Sequence, residues 1–317
     1  MYDIVSLGEL LIDFTESGIS PAGQRLFEQN PGGAVTNLLC AASQCGAKTG
    51  FIGKVGQDMH GAFLKQAMLN AGVDMHALIE AEDVFTTLAF VALKPSGERE
   101  FSFSRKPGAD TQLRVDELDR EMLTHTKVFH TGSLSLTQEP ARSATYEAID
   151  IAKAAGAVIS YDPNYRASLW SGKDEAIQYM RSLIVTADIM KVSDEELPLL
   201  TGEPDPAKAA DLLLEQGVKI VAITLGSEGA YIRVGKESRM VPGFRAKVVD
   251  TTGAGDSFFG GFLYRFLASG KTLKEVTIDD AADYARFGNA TASLCVERRG
   301  GIPAMPKLAE VLERMKE

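Results

Sequence analysis

Residues 2–8 read YDIVSLG, and they are followed by GAVTNLLCAASQ (33–44), TGFIGKV (49–55) and GAFLKQAMLNAG (61–72). Short apolar runs typical of buried strands alternate here with segments that have the apolar spacing of helices. Strand, helix, strand, helix is the order of a parallel sheet with crossover helices. The beginning of the chain therefore predicts an α/β fold with a mostly parallel sheet.

The same alternation continues through the middle of the chain. Four more strands are predicted at KVFHTGS (127–133), AVISYDPN (157–164), DIMKVS (188–193) and KIVAITLG (219–226). Helices are predicted at 140–155, 174–186, 207–216, 281–295 and after Pro306. Because ligands of open α/β sheets bind beyond the carboxyl ends of the strands, the small and polar residues that end these strands predict a site at that edge.

Residues 85–105 interrupt the alternation. They form two β-rich runs joined by Pro95-Ser96-Gly97, with no helix between them, which predicts a hairpin. We expect this hairpin to lie outside the main sheet and to form a small β lid with a segment near the N-terminus. The predicted organisation is one domain, 1–317, with a lid made by about 14–31 and 85–108.

The composition is that of an ordinary globular protein. The 317 residues are 45% hydrophobic and 24% charged, with a net charge of -10, which excludes disordered, collagen-like and disulfide-scaffold classes. The acidic balance argues against nucleic acid or an anionic membrane as the main partner. No apolar run is long enough to span a membrane and no signal-peptide pattern opens the chain, so a cytoplasmic location is expected. Cys40, Cys45 and Cys295 lack metal spacing and are expected to be buried thiols.

The chemistry is expected in DTTGAGDSFFGG (250–261), which follows the strand-like AKVV (246–249). Phenylalanines and leucines recur at four-residue spacing after it and predict a helix that begins near Gly253 and Gly255. A helix N-terminus presents unpaired N–H groups, and residues without a Cβ let a phosphate approach them. This segment therefore predicts an anion cradle.

Asp256 lies in the first turn of that helix. Its carboxylate could take a proton from a substrate hydroxyl while the cradle holds a phosphoryl group, although an Asp at this position also simply complements the helix dipole. Other nucleotide motifs fail. Phe258 occupies the third glycine position of GxGxxG, and Gly235-Lys236 is no Walker loop, because the upstream glycine is missing.

Two distant stretches resemble the signatures of one family. Residues 250–261 resemble the C-terminal signature of the ribokinase-like sugar kinases of the phosphofructokinase B type, and PGGAVTN (31–37) with GKVGQD (53–58) resembles their N-terminal signature. The segments that look most like the fructokinase branch are GELLIDF (8–14), DPNYR (162–166) and KVSDEE (191–196). The resemblance implies a three-layer α/β/α fold that uses ATP and Mg²⁺ to phosphorylate a sugar, with fructose as the leading substrate.

The resemblance also implies the sugar site. Its residues would be Asp13, Gly32, Gly33, Asn37, Arg105, Asp162 and Asp256. The Asp13 carboxylate can accept hydrogen bonds from two adjacent hydroxyls, the alternative being an Asp that caps a loop. Arg105 ends the lid hairpin, where it would either reach the substrate when the lid closes or lie solvated at the strand edge.

The remaining implied roles concern phosphoryl transfer. The catalytic group would be Gly253, Ala254, Gly255, Asp256 and Arg166, and the nucleotide group Lys191, Ser193, Thr224, Gly226, Gly229, Gly253, Gly255 and Asn289. Glu196 would hold Mg²⁺ through water. Asp250 and Thr252 would bind a monovalent cation, namely K⁺, unless Asp250 only caps its turn.

Three functions remain open from the sequence. The leading one is a fructokinase; the second is a 2-keto-3-deoxygluconate kinase, which must also hold a carboxylate; the third is a catalytically silent sugar sensor. The expected partners are the sugar and ATP, with no nucleic acid and no membrane, and the lid is the candidate interface of a homodimer.

Overall fold

The chain forms two β-sheets, and its computed structural model describes residues 1–93 and 99–317. The strands are β1 (Tyr2–Leu7), β2 (Leu11–Ile19), β3 (Arg25–Gly32), β4 (Thr49–Gly56), β5 (Leu78–Ala81), β6 (Leu88–Leu93), β7 (Arg99–Ser104), β8 (Thr126–Thr131), β9 (Val158–Tyr161), β10 (Ile189–Ser193), β11 (Ile220–Thr224), β12 (Gly229–Val234) and β13 (Glu237–Pro242).

The larger sheet has nine strands in the order β13-β12-β11-β10-β9-β8-β1-β4-β5. All six predicted strands lie in it and pair in parallel, from β4 through β1, β8, β9 and β10 to β11. β12 and β13 add an antiparallel hairpin at one edge. The carboxyl ends of the parallel strands therefore share one edge of the sheet, as expected.

Helices cover both faces of this sheet. They are α1 (Ala34–Gln44), α2 (Met59–Asn70), α3 (Arg120–Thr124), α4 (Ala141–Ala154), α5 (Lys173–Ser182), α6 (Leu197–Leu200), α7 (Pro206–Glu215), α8 (Ala254–Ala268), α9 (Ile278–Cys295) and α10 (Leu308–Arg314). Successive strand residues point to opposite faces, so Ile220 packs with the α1, α8 and α9 core while Val221 packs with the α4, α5 and α7 core. The predicted three-layer α/β/α fold is confirmed.

The smaller sheet has the order β3-β2-β6-β7. β6 and β7 pair in antiparallel register, as predicted for 85–105, while the predicted turn at 95–97 lies outside the described residues. β2 pairs with both β3 and β6, so the N-terminal segment and the hairpin share this sheet. That the sheet acts as a lid on a single domain stays a prediction.

The structure differs from the sequence prediction at three places. The AKVV segment, 246–249, is irregular and not a strand; it pairs with no described strand, and its last two valines are exposed. The edge hairpin β12–β13 was missed, although Gly235 has the positive φ of a tight turn between two alternating runs. The predicted helix 174–186 is also shorter, since α5 ends at Ser182 and a 3₁₀ turn, Ile184–Thr186, follows.

The three cysteines are buried, as expected, and burial raises the pKa of each thiol. Within the described part of the chain, no helix is both long and apolar enough to cross a bilayer.

Candidate active site

A cavity of about 540 Å³ lies where the strand ends of the large sheet face the small sheet. Its walls include seven residues predicted for the site: Asp13, Gly33, Asn37, Arg166, Thr252, Gly253 and Asp256. Thr15 and Asn30 of the small sheet, and Gly300 and Gly301 of the loop before α10, also line it. The sequence-distant sugar and phosphoryl signatures therefore meet at one cavity.

Asp256 is buried in the first turn of α8 and is held by two amides. Asn37 Nδ2 donates to its Oδ2 at 2.8 Å, and Asn164 Nδ2 donates to its Oδ1 at 2.9 Å. Burial raises the pKa of Asp256, while Lys191, the two amides and Arg166 oppose this rise. The carboxylate thus faces the cavity in a fixed orientation, which suits a base.

The N-terminus of α8 has the form expected of an anion cradle. Gly253 caps the helix with φ 75°, a left-handed conformation that favours glycine, and no side chain caps the first turn. Ala254 and Gly255 follow in that turn. A Cβ at Gly255 would lie 2.9 Å from Lys191 Nζ, so a side chain there would displace the end of that lysine.

A cluster of buried charges lies behind Asp256. Lys191 Nζ donates to Asp162 Oδ2 at 3.0 Å, and both side chains are nearly inaccessible to solvent. Burial alone would lower the pKa of Lys191, but Asp162, Glu196 and Asp256 outweigh it and raise that pKa. Burial, with the neighbouring carboxylates, raises the pKa of Asp162 to about 7. Lys191 was expected to contact nucleotide and Asp162 to contact sugar; neither lines the cavity, and both are buried in this ion pair.

Glu196, expected at the magnesium, is also buried. Its Oε1 accepts from Tyr165 N at 2.7 Å, and its Oε2 accepts from Ser193 N at 2.9 Å and Ser193 Oγ at 2.8 Å. Both carboxylate oxygens already accept hydrogen bonds, so contact with a metal through water fits better than direct ligation. In the described ranges, no three His, Cys, Asp or Glu side chains group as metal ligands.

The sugar end of the cavity depends on two glycines. A Cβ at Gly32 would lie 2.1 Å from Asp13 Oδ2, so only glycine leaves room for that carboxylate. Gly33 has φ 124°, and a Cβ there would lie 2.4 Å from the carbonyl oxygen of Glu9. Asp13 stands on β2 opposite Asn30 of β3, at the wall of the cavity.

Arg105 occupies neither of the two expected positions, which were contact with the substrate and a solvated strand edge. It is buried next to Asp110, and its guanidinium donates at 2.8 Å to Asp110 Oδ2, at 2.8 Å to Thr137 Oγ1 and at 2.9 Å to the Leu134 carbonyl. It does not line the cavity and is not a solvated edge residue. Its donors hold the end of the hairpin to the body of the protein.

Arg166, in contrast, is exposed at the cavity wall. Its Nη1 donates to the Tyr165 carbonyl at 3.0 Å, and its charge opposes the rise in the pKa of Asp256. A cation at this place can stabilise charge on a transferring phosphoryl group.

Apart from Gly253, the predicted nucleotide residues do not line the cavity. Ser193 and Thr224 are opposite each other on β10 and β11, Gly226 follows β11, and Gly229 begins β12. A Cβ at Gly229 would lie 2.1 Å from the Val241 carbonyl oxygen. Asn289 Nδ2 donates to the Val241 and Pro242 carbonyls at 3.0 and 3.1 Å, so it ties α9 to β13. Their contact with a nucleotide stays a prediction.

Asp250 caps its own turn, which was the alternative to a cation site at this residue. Its Oδ1 accepts from Thr252 N at 3.0 Å and Thr252 Oγ1 at 2.8 Å, and its Oδ2 accepts from Gly300 N at 3.0 Å. These bonds join the loop before α8 to the loop that precedes α10. A cation at this place would share oxygens that already accept N–H groups.

Among the cavity residues that the sequence did not predict, Glu9 and Asn164 make the most specific contacts. Glu9 lines the cavity; its Oε1 accepts from Ala34 N at 2.7 Å, and burial raises its pKa to about 7. Asn164 has φ 48°, which is uncommon for a residue other than glycine. Both residues are polar positions within quoted motifs, Glu9 in GELLIDF and Asn164 in DPNYR. Neither motif, however, shows which of its side chains points into the site.

An anion-binding helix terminus beside a buried carboxylate, at the strand ends of an α/β sheet, is typical of a phosphotransferase. Residues 1–308 match the sequence profile of the pfkB family carbohydrate kinases. The chain therefore belongs to the pfkB carbohydrate kinase family, which confirms the resemblance of the two signatures.

Relatives and solved structures cover almost the whole chain. Fructokinase-1 of Zea mays is 40% identical over 313 residues, which are 98% of this chain and 96% of that protein. A fructokinase from Xylella fastidiosa with bound ATP superposes with a TM-score of 0.89 at 32% identity, covering 100% of this chain and 99% of that one. A fructokinase double mutant from Vibrio cholerae O395, bound to fructose, ADP and potassium ion, has a TM-score of 0.89 at 30% identity, covering 99% and 98%.

Proposed function

We propose that this chain is an ATP-dependent fructokinase. The observation that carries the proposal is Asp256, a buried carboxylate that faces the cavity from the first turn of α8 beside the Gly253 cap. A carboxylate so placed can accept the proton of a sugar hydroxyl where a helix N-terminus binds phosphate. The relatives named fructokinase, and the solved fructokinases with ATP or with fructose and ADP, support the same function.

In the proposed reaction, Asp256 takes the proton of the primary hydroxyl as that oxygen bonds to the γ-phosphorus of ATP. The bond from the γ-phosphorus to the ADP oxygen breaks, and the Asp256 carboxyl later releases its proton to water. N–H groups at Gly253, Ala254 and Gly255 would stabilise the transferring group, with the Arg166 guanidinium at the cavity wall. Bound Mg²⁺ supplies charge neutralisation for the phosphates, and Glu196 would hold it through water.

The residues at the sugar end favour a neutral sugar. Asp13 and Glu9 both place carboxyl groups at this wall. Of the two cations that could balance an acidic sugar there, Arg105 is already bonded to Asp110, and Arg166 is assigned to the transferring phosphoryl group. This supports fructose over 2-keto-3-deoxygluconate, because a substrate carboxylate near Asp13 would meet a like charge.

We therefore expect kcat/KM for fructose to exceed that for 2-keto-3-deoxygluconate by at least about tenfold, the ratio that 1.4 kcal/mol of differential transition-state binding produces. The measurement is ADP release, coupled to NADH oxidation, across a panel of neutral and acidic sugars. A higher kcat/KM for the acidic sugar would leave only the broader sugar-kinase function. If the protein phosphorylates none of the sugars in the panel, the catalytically silent sensor is favoured.

A monovalent cation at Asp250 and Thr252 is part of the proposal. The two residues supply oxygens in the loop that leads to the Gly253 cap, and the loop is already tied to Gly300. The potassium ion of the Vibrio cholerae fructokinase supports this assignment. A bound cation would order the loop whose N–H groups form the cradle.

Activity at fixed Mg²⁺ should consequently be higher in K⁺ than in Na⁺ or a bulky organic cation. The measurement is the fructose-dependent rate in the three chloride salts at matched ionic strength, which controls for screening. Equal rates in all three salts would remove the cation from the mechanism.

We also propose that the smaller sheet acts as a lid and forms the interface of a homodimer. Ile19 and Leu26 in β2 and β3 are exposed apolar side chains, which a second copy could cover.

A further inference from the structure

Asn164 combines an uncommon backbone with a direct contact to Asp256. Its φ of 48° is the only positive value of a non-glycine residue among the described residues. The side chain is buried, and its Nδ2 donates to Asp256 Oδ1 at 2.9 Å across 92 residues of sequence. Asparagine tolerates this conformation better than most residues, but the conformation still costs free energy. The conformation aims the amide at the carboxylate.

Asn37 makes the matching contact from the opposite side. Its Nδ2 donates to Asp256 Oδ2 at 2.8 Å from the first turns of α1. Gly301 packs against this amide so closely that a Cβ would lie 2.5 Å from Asn37 Oδ1. Each carboxylate oxygen of Asp256 therefore has its own amide donor, and the two donors come from different parts of the fold. We call Asn37 and Asn164 the amide clamp.

Charged and titratable groups also face Asp256 from the elements around it. Burial raises the pKa of Asp256, and Lys191 of β10 and Arg166 oppose this rise; burial, with the nearby Asp256 carboxylate, also raises the pKa of the Cys295 thiol of α9. Asp162 and Glu196 lie beyond Lys191 and are coupled to it. These groups set the charge around the carboxylate, but the two amides make the side-chain hydrogen bonds that fix its direction.

We infer that Asn164 is a positioning residue for phosphoryl transfer, acting with Asn37 to orient the Asp256 carboxylate toward the sugar hydroxyl. This goes beyond sugar binding, the role expected for Asn37, and it rests on the proposed function. A carboxylate that rotated freely would lose the alignment with the hydroxyl that proton transfer requires. The clamp also favours the ionised form, since its N–H groups donate to the charged carboxylate.

The test is Asn164→Gly, because glycine adopts the positive φ without strain and lacks the side-chain amide. We expect kcat with fructose to fall by roughly tenfold to a hundredfold, the loss that a misplacement of about 1 Å can cause. KM for fructose and for ATP should stay close to wild type. The acid limb of kcat/KM should move to higher pH, because loss of a donor to the carboxylate raises the pKa of Asp256.

Asn30→Gly is the matched control. Asn30 lines the same cavity but donates to Thr15 Oγ1 and the Glu28 carbonyl, and it has no hydrogen bond to Asp256. For Asn30→Gly, the acid limb of the kcat/KM profile should stay at the wild-type pH, even if KM changes. In an Asp256→Asn background, Asn164→Gly should cause no further loss of the residual rate, whereas any effect of Asn30→Gly should be the same as in the wild-type background.

A readout without turnover separates this inference from the proposed function. The protein is labelled with ¹³C at the Asp carboxyls, the Asp256 signal is assigned by its absence in Asp256→Asn, and the titration is followed by NMR. A higher Asp256 pKa in Asn164→Gly supports the clamp even if fructose is not the substrate. An unchanged pKa, or a kcat equal to wild type in an enzyme that does phosphorylate fructose, would overturn it.

Discussion

Asp256→Asn should lower kcat with fructose at least about 100-fold, the lower end of what a positioned general base contributes. Asparagine preserves the size of the side chain but cannot accept the hydroxyl proton at neutral pH. Both carboxylate oxygens of Asp256 accept hydrogen bonds, one from Asn37 and one from Asn164. In the variant, the new NH₂ group would replace one of these acceptors and would face a donor. We expect the fold and ATP binding to be retained, which a thermal melt and a nucleotide titration would check.

Asp279→Asn is the control for the alternative that Asp256 only complements a helix dipole. Asp279 also lies in the first turn of its helix, α9, but it is exposed, pairs with Arg239 and does not line the cavity. The same chemical change there should leave kcat unaltered. An Asp256→Asn enzyme with more than about a tenth of wild-type kcat would be incompatible with general-base catalysis by this residue.

Asp13→Ala should lower kcat/KM for fructose by about 100-fold or more. Each hydrogen bond to a charged group contributes about 1.5–3 kcal/mol, and the variant would lose the bonds from two adjacent sugar hydroxyls. Asp13 lies at the cavity wall, where glycine at position 32 leaves room for its carboxylate. The measurement is the fructose dependence of the rate at saturating ATP. ATP affinity should be unchanged, because the residue lies at the sugar end.

Glu16→Ala supplies the comparison on the same strand. Glu16 lies farther along β2, outside the cavity that Asp13 lines, and pairs loosely with Arg25 at 3.9 Å. Removing that carboxylate changes the charge of the small sheet equally but should leave kcat/KM for fructose near wild type. Fructose kinetics unaffected by Asp13→Ala would contradict both the sugar site and the choice of fructose.

Most of the fold could be predicted from local pattern. Strand and helix periodicity correctly predicted the six parallel strands, and the phenylalanine stripe after Gly255 correctly predicted α8, with Phe258 and Phe262 buried. The errors occurred where the neighbours of a segment decide its structure. AKVV has strand-forming residues, yet it pairs with no described strand, whereas β12 of the missed hairpin pairs with β11.

The site was predictable to the extent that residues act within one motif. Gly253 and Asp256 share one helix turn, so their arrangement followed from the helix itself. Arg105 could not be placed in this way. Its sequence position at the end of a hairpin suggested a mobile cation, but Asp110, five residues later, and the Leu134 carbonyl of another segment hold it in the body of the protein.

The sequence by itself therefore determined the parallel α/β architecture, the edge at which ligands bind and the helix turn that carries the carboxylate, because these depend on spacing along a few consecutive residues. Only the tertiary structure decided which side chains touch that carboxylate. Asn37 reaches Asp256 across 219 residues and Asn164 across 92, while Lys191 turns inward to pair with Asp162. Such contacts depend on how distant elements pack and on which buried donor finds which acceptor, and neither is encoded in local spacing.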